Sequence, residues 1–152
     1  MQLTTHTDYA LRLLIFLMVH PGRIVSTKEV AAAYGISANH LTKIAKQLTK
    51  NGWLVAVRGG GGGLMLASHT PDTPVGEIVR STESIRHVAE CFNVSANFCP
   101  IPAVCRLKPI LHRARKAFFE VLDGVTIREI AANPRELKPI LTANLKRASD
   151  GR

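Results

Sequence analysis

Long apolar runs are absent from this sequence of 152 residues. The longest, Leu13 to Val19, has seven residues, whereas a helix that spans a bilayer needs about 20. The run does not fit a signal peptide either, because Asp8 precedes it, only Arg12 supplies nearby positive charge, and no small-residue cleavage site follows closely. These absences predict a cytoplasmic protein.

Acidic residues are also scarce, since 11 aspartates and glutamates oppose 20 lysines and arginines, a net charge of +9. Such an excess predicts an anionic partner, most often nucleic acid. A hydrophobic content of 46% excludes a disordered polyelectrolyte. An enzyme is not indicated, because the six histidines are scattered and no nucleophile–base–acid arrangement is recognisable.

Residues 1–72 predict a winged helix-turn-helix domain in a mainly α (α+β) fold. The first helix is expected to begin with Thr7 as its N-cap and to stop at Pro21. A capping box at 26–29 opens a short helix that Gly35 closes, and a third helix follows over 38–51. Two short helices joined by a tight glycine-containing turn are typical of helix-turn-helix proteins.

The third helix has one polar face without any acidic residue, which is unusual for a face selected only for solubility. Its side chains are those that meet phosphates and base edges in DNA complexes. Together with the preceding serine, the predicted DNA-contacting residues of this helix are Ser37, Asn39, His40, Thr42, Lys43, Lys46, Gln47 and Lys50.

A wing is predicted after this helix, because two short apolar strands, 53–57 and 64–67, flank a glycine-rich loop. Glycines allow the backbone to approach a sugar-phosphate chain closely, and Arg58 supplies the charge. The predicted DNA contacts of the wing are Arg58, Gly59, Gly61 and Gly62. A nucleotide phosphate loop is excluded, because Leu64 occupies the last glycine position that the motif requires.

The second half of the chain predicts three further segments. Residues 73–106 combine a connecting helix, with Thr73 as its cap and Pro74 as its first residue, and an irregular loop. Residues 107–134 contain a long amphipathic helix with Pro109 near its start, followed by a short helix; the apolar stripe of the long helix predicts a homodimer. Residues 135–152 are expected to form a frayed C-terminal tail.

All three cysteines, Cys91, Cys99 and Cys105, lie in that loop with the spacing C-x7-C-x5-C. With three cysteines, at least one cannot be in a disulfide within the chain. Buried apolar cysteines and a structural zinc site are alternatives, although zinc sites use shorter spacings. Longer, uneven spacing with a proline after Cys99 favours an iron–sulfur cluster, and three thiolates leave one coordination position for another ligand.

Taken in order, these motifs closely resemble the NsrR-like, nitric-oxide-sensing branch of a bacterial winged-helix family of iron–sulfur regulators that also includes IscR. The resemblance extends from about Leu3 to Ala131 and rests on the order and spacing of four motifs. They are the opening Leu3-Thr4…Thr7-Asp8-Tyr9-Ala10-Leu11-Arg12, Arg58-Gly59…Gly62-Gly63, Val75-Gly76-Glu77, and the cysteine motif.

The resemblance implies a transcriptional repressor that binds an imperfect inverted-repeat operator in double-stranded DNA as a homodimer. It implies a 4Fe–4S cluster on the three cysteines, with Asp8 of the partner subunit as fourth ligand and Arg12 beside it. Nitrosylation or loss of the cluster would release the operator and derepress nitric-oxide detoxification genes. From the residues alone, Asp8 is equally an ordinary first-turn acid paired with Arg12 at i+4.

Three departures from the family pattern bear on these expectations, and Pro109 inside the expected dimer helix is one of them. IscR-like members bind a 2Fe–2S cluster with a histidine three residues after the third cysteine, where this sequence has Lys108. Relatives often have a basic residue at the position of Gly60. Because this sequence has glycine there, Arg58 is the only charge in the wing loop. A redox or iron–sulfur-status regulator with a 2Fe–2S cluster and a cluster-free thiol redox sensor are the alternative functions.

Overall fold

The computed structural model describes residues 3–83, 88–93, 95 and 97–150, without the side chains of 149 and 150. Its first three helices are α1 (Thr5–Met18), α2 (Thr27–Tyr34) and α3 (Ala38–Lys50). The predicted cap at Thr7 is wrong: the hydroxyl of Thr4 accepts the N–H of Thr7, which is itself buried within the first turn. By contrast, Ser26 caps α2 as predicted, and Gly35 closes that helix with a left-handed φ of 64°.

The wing consists of β1 (Leu54–Val57) and β2 (Gly63–Leu66), an antiparallel pair in which Leu54 lies opposite Leu66. A third segment joins the pair, because Val25 forms a β-bridge with Leu64. A Cβ on Gly63 would lie 2.6 Å from the carbonyl oxygen of Val25, so only glycine permits this approach. The structure therefore confirms the mainly α fold with a two-stranded wing.

The connecting helix is α4 (Val75–Thr82). The prediction that Thr73 caps this helix, with Pro74 as its first residue, is wrong, because Pro74 occupies the N-cap position and no side chain caps the helix. The hydroxyl of Thr73 donates instead to the carbonyl of His69, 3.3 Å away. Pro74 is held by a β-bridge to Thr126, which explains why the helix starts one residue later than expected.

The long helix α5 (Leu107–Asp123) packs against α4. Pro109 lies in its first turn, where a missing N–H costs nothing because those donors have no partner within the helix. At the other end, Arg80 donates two hydrogen bonds to Asp123, of 2.7 and 2.5 Å. Gly76 makes this docking possible, since a Cβ there would overlap the carboxylate of Asp123.

Two more helices follow, α6 (Ile127–Ile130) and α7 (Pro134–Asp150). A complete capping box between Thr126 and Glu129 opens α6. The prediction of a frayed C-terminal tail is wrong over 135–150, which is helical; residues 151 and 152 lie outside the described part. Helix α7 packs on α2, where Leu141 is buried and the amide of Asn144 donates to the carbonyl of Ala33.

The hydrophobic core lies mainly between the helices of the N-terminal half and extends to α4, α6 and α7. None of the helices within the described residues is long and apolar enough to cross a membrane. The largest fully buried side chains in the core include Phe16, Leu13, Leu14, Leu41, Ile44, Leu48, Ile78 and Ile127.

Candidate DNA interface and cysteine loop

Helix α3 presents an exposed basic face. Its core-facing stripe of Leu41, Ile44, Ala45 and Leu48 is buried, and this fixes which side faces solvent. On the opposite side Asn39, Lys43, Lys46 and Lys50 are exposed. Three lysines and one asparagine, with no acidic residue among them, are side chains that can contact phosphates and base edges.

Three of the residues predicted to contact DNA, Ser37, His40 and Thr42, take part in hydrogen bonds within the protein near the start of α3. Ser37 caps the helix by accepting the N–H of His40 at 3.3 Å. The hydroxyl of Thr42 donates to the carbonyl of Ala38 at 2.8 Å and lies 3.3 Å from that of Thr27 in α2. The contact between Thr42 and Thr27 joins α3 to α2, whereas the other two bonds order the start of α3 itself.

His40 and Gln47 face α1 rather than open solvent. The ring of His40 lies 5.3 Å from that of Tyr9 and 6.0 Å from that of His6, measured between centroids. The amide oxygen of Gln47 is 2.7 Å from Nε2 of His6, and its amide nitrogen donates to the carbonyl of Ser81 in α4 at 3.0 Å. The polar face of α3, which the sequence predicted to contact DNA, therefore has two parts. Its lysines and Asn39 are exposed, whereas His40 and Gln47 pack against other helices of the protein.

The wing loop is exposed around Arg58 and is shaped by its glycines. Gly59 and Gly61 have φ of 110° and 106°, a region that favours glycine. The N–H of Gly62 donates to the carbonyl of Gly59, and a Cβ on Gly62 would overlap the carbonyl oxygen of Val57. Gly60 differs from these, because it has open space around it and no positive φ.

Asp8 and Arg12 form the i,i+4 ion pair that the sequence predicted. The guanidinium binds both carboxylate oxygens, at 2.7 and 3.0 Å, and each side chain is about two-fifths exposed. Arg12 also lies over the rings of Tyr9 and Tyr34, 5.7 and 5.8 Å from their centroids. Burial raises the pKa of Tyr34 above its usual value, although the charge of Arg12 acts in the opposite direction.

The start of α1 is fastened to the end of α4 by a group of polar contacts. The N–H and hydroxyl of Thr4 both donate to Oε1 of Glu83, at 2.5 and 2.8 Å, and the hydroxyl of Thr7 donates to that of Thr82 at 2.9 Å. Burial alone would raise the pKa of Glu83, but the nearby hydroxyl of Thr7 and the two hydrogen bonds from Thr4 outweigh it and lower the pKa. Sequence patterns missed this junction, because its partners lie 75 and 79 positions apart.

The three cysteines lie between α4 and α5, Cys91 in a short 3-10 helix over Glu90–Phe92 and Cys99 and Cys105 in irregular chain; they are free of disulfide bonds and each is partly buried. The loop is organised by Phe98, whose N–H donates to Glu90 at 2.5 Å, and by Phe92, whose ring stacks on that of His112. Within the described part of the chain, no three histidine, cysteine, aspartate or glutamate side chains come close enough to hold a metal ion. The donor set nevertheless fits an iron–sulfur cluster in kind, since such clusters bind thiolates and none of these three thiols is in a disulfide.

The loop and α5 expose large apolar side chains. Phe98 is 89% exposed and Val104 is 80% exposed. Every residue of α5 is described and none is buried; Leu107, Ile110 and Val121 expose half or more of their surface. An apolar stripe this long on a single chain is typical of a face that another subunit covers.

Comparison with known proteins gives a consistent result. A model of the Rrf2 family, described as an iron-dependent transcriptional regulator, matches residues 3–133. Proteins named HTH-type transcriptional regulator NsrR, from Shouchella clausii and Bacillus subtilis, are each 41% identical over 142 residues; these cover 93% of this chain and 95% and 97% of the relatives. The solved structure of T. potens IscR is 28% identical, with a TM-score of 0.69 over 88% of each chain.

Proposed function

This chain belongs to the Rrf2 family of iron-dependent transcriptional regulators, and on that premise we propose that it represses transcription until nitric oxide acts on an iron–sulfur cluster bound to its cysteine loop. The observation that carries the proposal is the presence, in one chain, of an acid-free basic face on α3 and a loop with three free thiols. The family consists of regulators, so the prediction that this chain is not an enzyme is confirmed.

For DNA binding, we place α3 in the major groove with Asn39, Lys43, Lys46 and Lys50 toward the duplex. The hydroxyl of Ser37 caps α3, and that of Thr42 contacts Thr27 of α2. The wing follows the adjacent backbone, where Arg58 supplies the charge and Gly59, Gly61 and Gly62 shape the loop. This arrangement reads an operator half-site.

A homodimer would read both halves of an imperfect inverted repeat in double-stranded DNA. The exposed stripe of α5, Leu107, Ile110 and Val121, is the surface that we assign to the dimer. A two-fold contact along this stripe would set the distance between the two α3 helices.

The residues that would hold the cluster are Cys91, Cys99 and Cys105, joined by Asp8 of the partner subunit. A 4Fe–4S cluster bound in this way would supply an iron with a non-thiolate ligand, the kind of site that nitric oxide can attack. In the structure the carboxylate of Asp8 is held by Arg12. A carboxylate can bind a metal through one oxygen and accept from a guanidinium at the same time, so Arg12 would orient Asp8 when the cluster is bound and hold the carboxylate when it is absent.

The test is an iron and sulfide assay on protein purified without oxygen, followed by nitric-oxide titration and operator binding. We expect about four irons per chain, tight binding to a duplex selected from a random pool, and loss of that binding with nitric oxide. A Cys99→Ser protein that still binds the operator tightly and still responds to nitric oxide contradicts the proposal.

The three free thiols also favour a second candidate, a cluster-free redox sensor. That function predicts a colourless protein whose operator binding is complete in the iron-free reduced form and lost on disulfide formation. Two irons per chain would instead indicate a 2Fe–2S redox or iron–sulfur-status regulator.

A further inference from the structure

Gln47 is held at both ends of its amide, although it lies on the helix assigned to DNA recognition. Its oxygen is 2.7 Å from Nε2 of His6 in α1, and its nitrogen donates to the carbonyl of Ser81 in α4 at 3.0 Å. An amide oxygen only accepts, so the proton of this first bond is on Nε2 of His6. These two bonds use one lone pair of the oxygen and one of the two amide protons, and together they fix the amide group toward α1 and α4.

Both partners of Gln47 belong to segments that lead to the proposed cluster ligands. His6 precedes Asp8 by two residues in the first turn of α1. Ser81 lies in the last turn of α4, from which the chain continues to Cys91. The carbonyl of Ser81 is too close to the end of α4 to meet an i+4 donor within the helix, and the amide of Gln47 satisfies it.

The same two segments are fastened to each other independently of Gln47. Thr4 binds Glu83, and Thr7 binds Thr82. The start of α1 and the end of α4 therefore form one polar block, and Gln47 is the hydrogen-bonded link from that block to α3. A displacement of the block on loss of the cluster would be transmitted to α3 through this amide.

We propose that Gln47 is a positioning residue that couples the state of the cysteine loop to the orientation of α3, and that it does not read DNA bases. The inference rests on the proposed function, because it assumes that the cluster state controls operator binding. The inference goes further by naming the side chain that transmits the cluster state to α3. It also assigns different roles to Gln47 and to Lys46, its exposed neighbour on the same helix.

The test compares wild-type protein with Gln47→Met, which keeps the length of the side chain but removes both hydrogen bonds. Lys46→Met is the matched control, with the same new residue at the adjacent exposed position. Operator affinity is measured for the cluster-loaded and the metal-free form of each protein. The panel contains the selected duplex and versions of it changed at one base pair each.

We expect Gln47→Met to reduce the ratio of loaded to metal-free affinity by about tenfold, while the order of preference among the duplexes stays unchanged. Lys46→Met should weaken both forms alike and leave the ratio as it is, because it removes only a phosphate contact. In the metal-free protein, a double-mutant cycle of His6→Ala and Gln47→Met on the thermal midpoint should be non-additive.

A Gln47→Met protein that keeps the full ratio but loses discrimination at one base pair overturns the inference in favour of a base-reading role and leaves the proposed function intact. Additive effects in the metal-free cycle also overturn it. A wild-type ratio of one overturns the proposed function and the coupling with it. Should Gln47→Met fail to fold, His6→Ala removes the same bond from α1 and must lower the ratio by itself.

Discussion

Replacement of Gly60 by arginine is expected to tighten DNA binding without straining the wing. A Cβ at Gly60 meets nothing within 4 Å, and the residue has no positive φ, unlike Gly59 and Gly61. One added phosphate contact steepens the dependence of log affinity on log salt by about 0.9, so a dimer with two wings should gain about 1.8. At roughly 0.15 M salt that slope corresponds to about 30-fold tighter binding if counterion release accounts for all of the gain.

The assay is fluorescence anisotropy with the selected duplex over a series of salt concentrations. Arg58→Gln should change the slope by a similar amount in the opposite direction. Gly61→Arg is the matched control: it adds the same charge at a φ of 106°, which costs on the order of 1–3 kcal/mol and should lower the thermal midpoint. A folded Gly60→Arg protein with the wild-type salt slope would show that the wing does not lie along the phosphates.

Three other predictions concern stability. Gly76→Ala should displace the carboxylate of Asp123, because the new Cβ would overlap it; the thermal midpoint should fall, and adding Asp123→Asn should lower it little further, whereas additive losses would contradict the overlap. Glu83 has a pKa below its ordinary 4.5, so it stabilises the fold above that pH and loses this effect as the pH falls through its lowered pKa. Glu83→Gln should therefore flatten the acid side of a pH–stability curve of the metal-free protein by under about 1 kcal/mol, and an unchanged curve would refute the assignment. Leu141→Ala should cost about 2–5 kcal/mol in denaturant unfolding, because the side chain is only 3% exposed against α2; a cost under about 0.5 kcal/mol would mean that α7 does not contribute to the core.

Local patterns in the sequence predicted the helix-turn-helix well, because its boundaries are set by neighbouring residues. Ser26 and Gly35 begin and end α2 through contacts within four residues, and such contacts can be read from spacing. The start of α1 was misplaced because Thr4 is a cap that Glu83 also holds, and that partner is distant in sequence.

The C-terminal helix was missed for a related reason. Pro139 inside a helix costs about 3 kcal/mol, so the sequence favours an irregular tail. Packing of Leu141 on α2 and the bond from Asn144 to Ala33 offset this cost. The two sides of the α3 polar face could not be separated either, because the partners of Gln47 lie 41 and 34 positions away.

The packing of α7 on α2 has a consequence for the order in which the protein folds during its synthesis. The bond between Asn144 and Ala33 closes a loop of 111 positions, so this contact forms only after α7 itself has left the ribosome. Loop closure of this length is an entropic cost that local helix formation does not have. Nascent chains should therefore complete α1, α2 and α3 first, and the DNA-binding half should reach its full stability only once α7 has packed on α2.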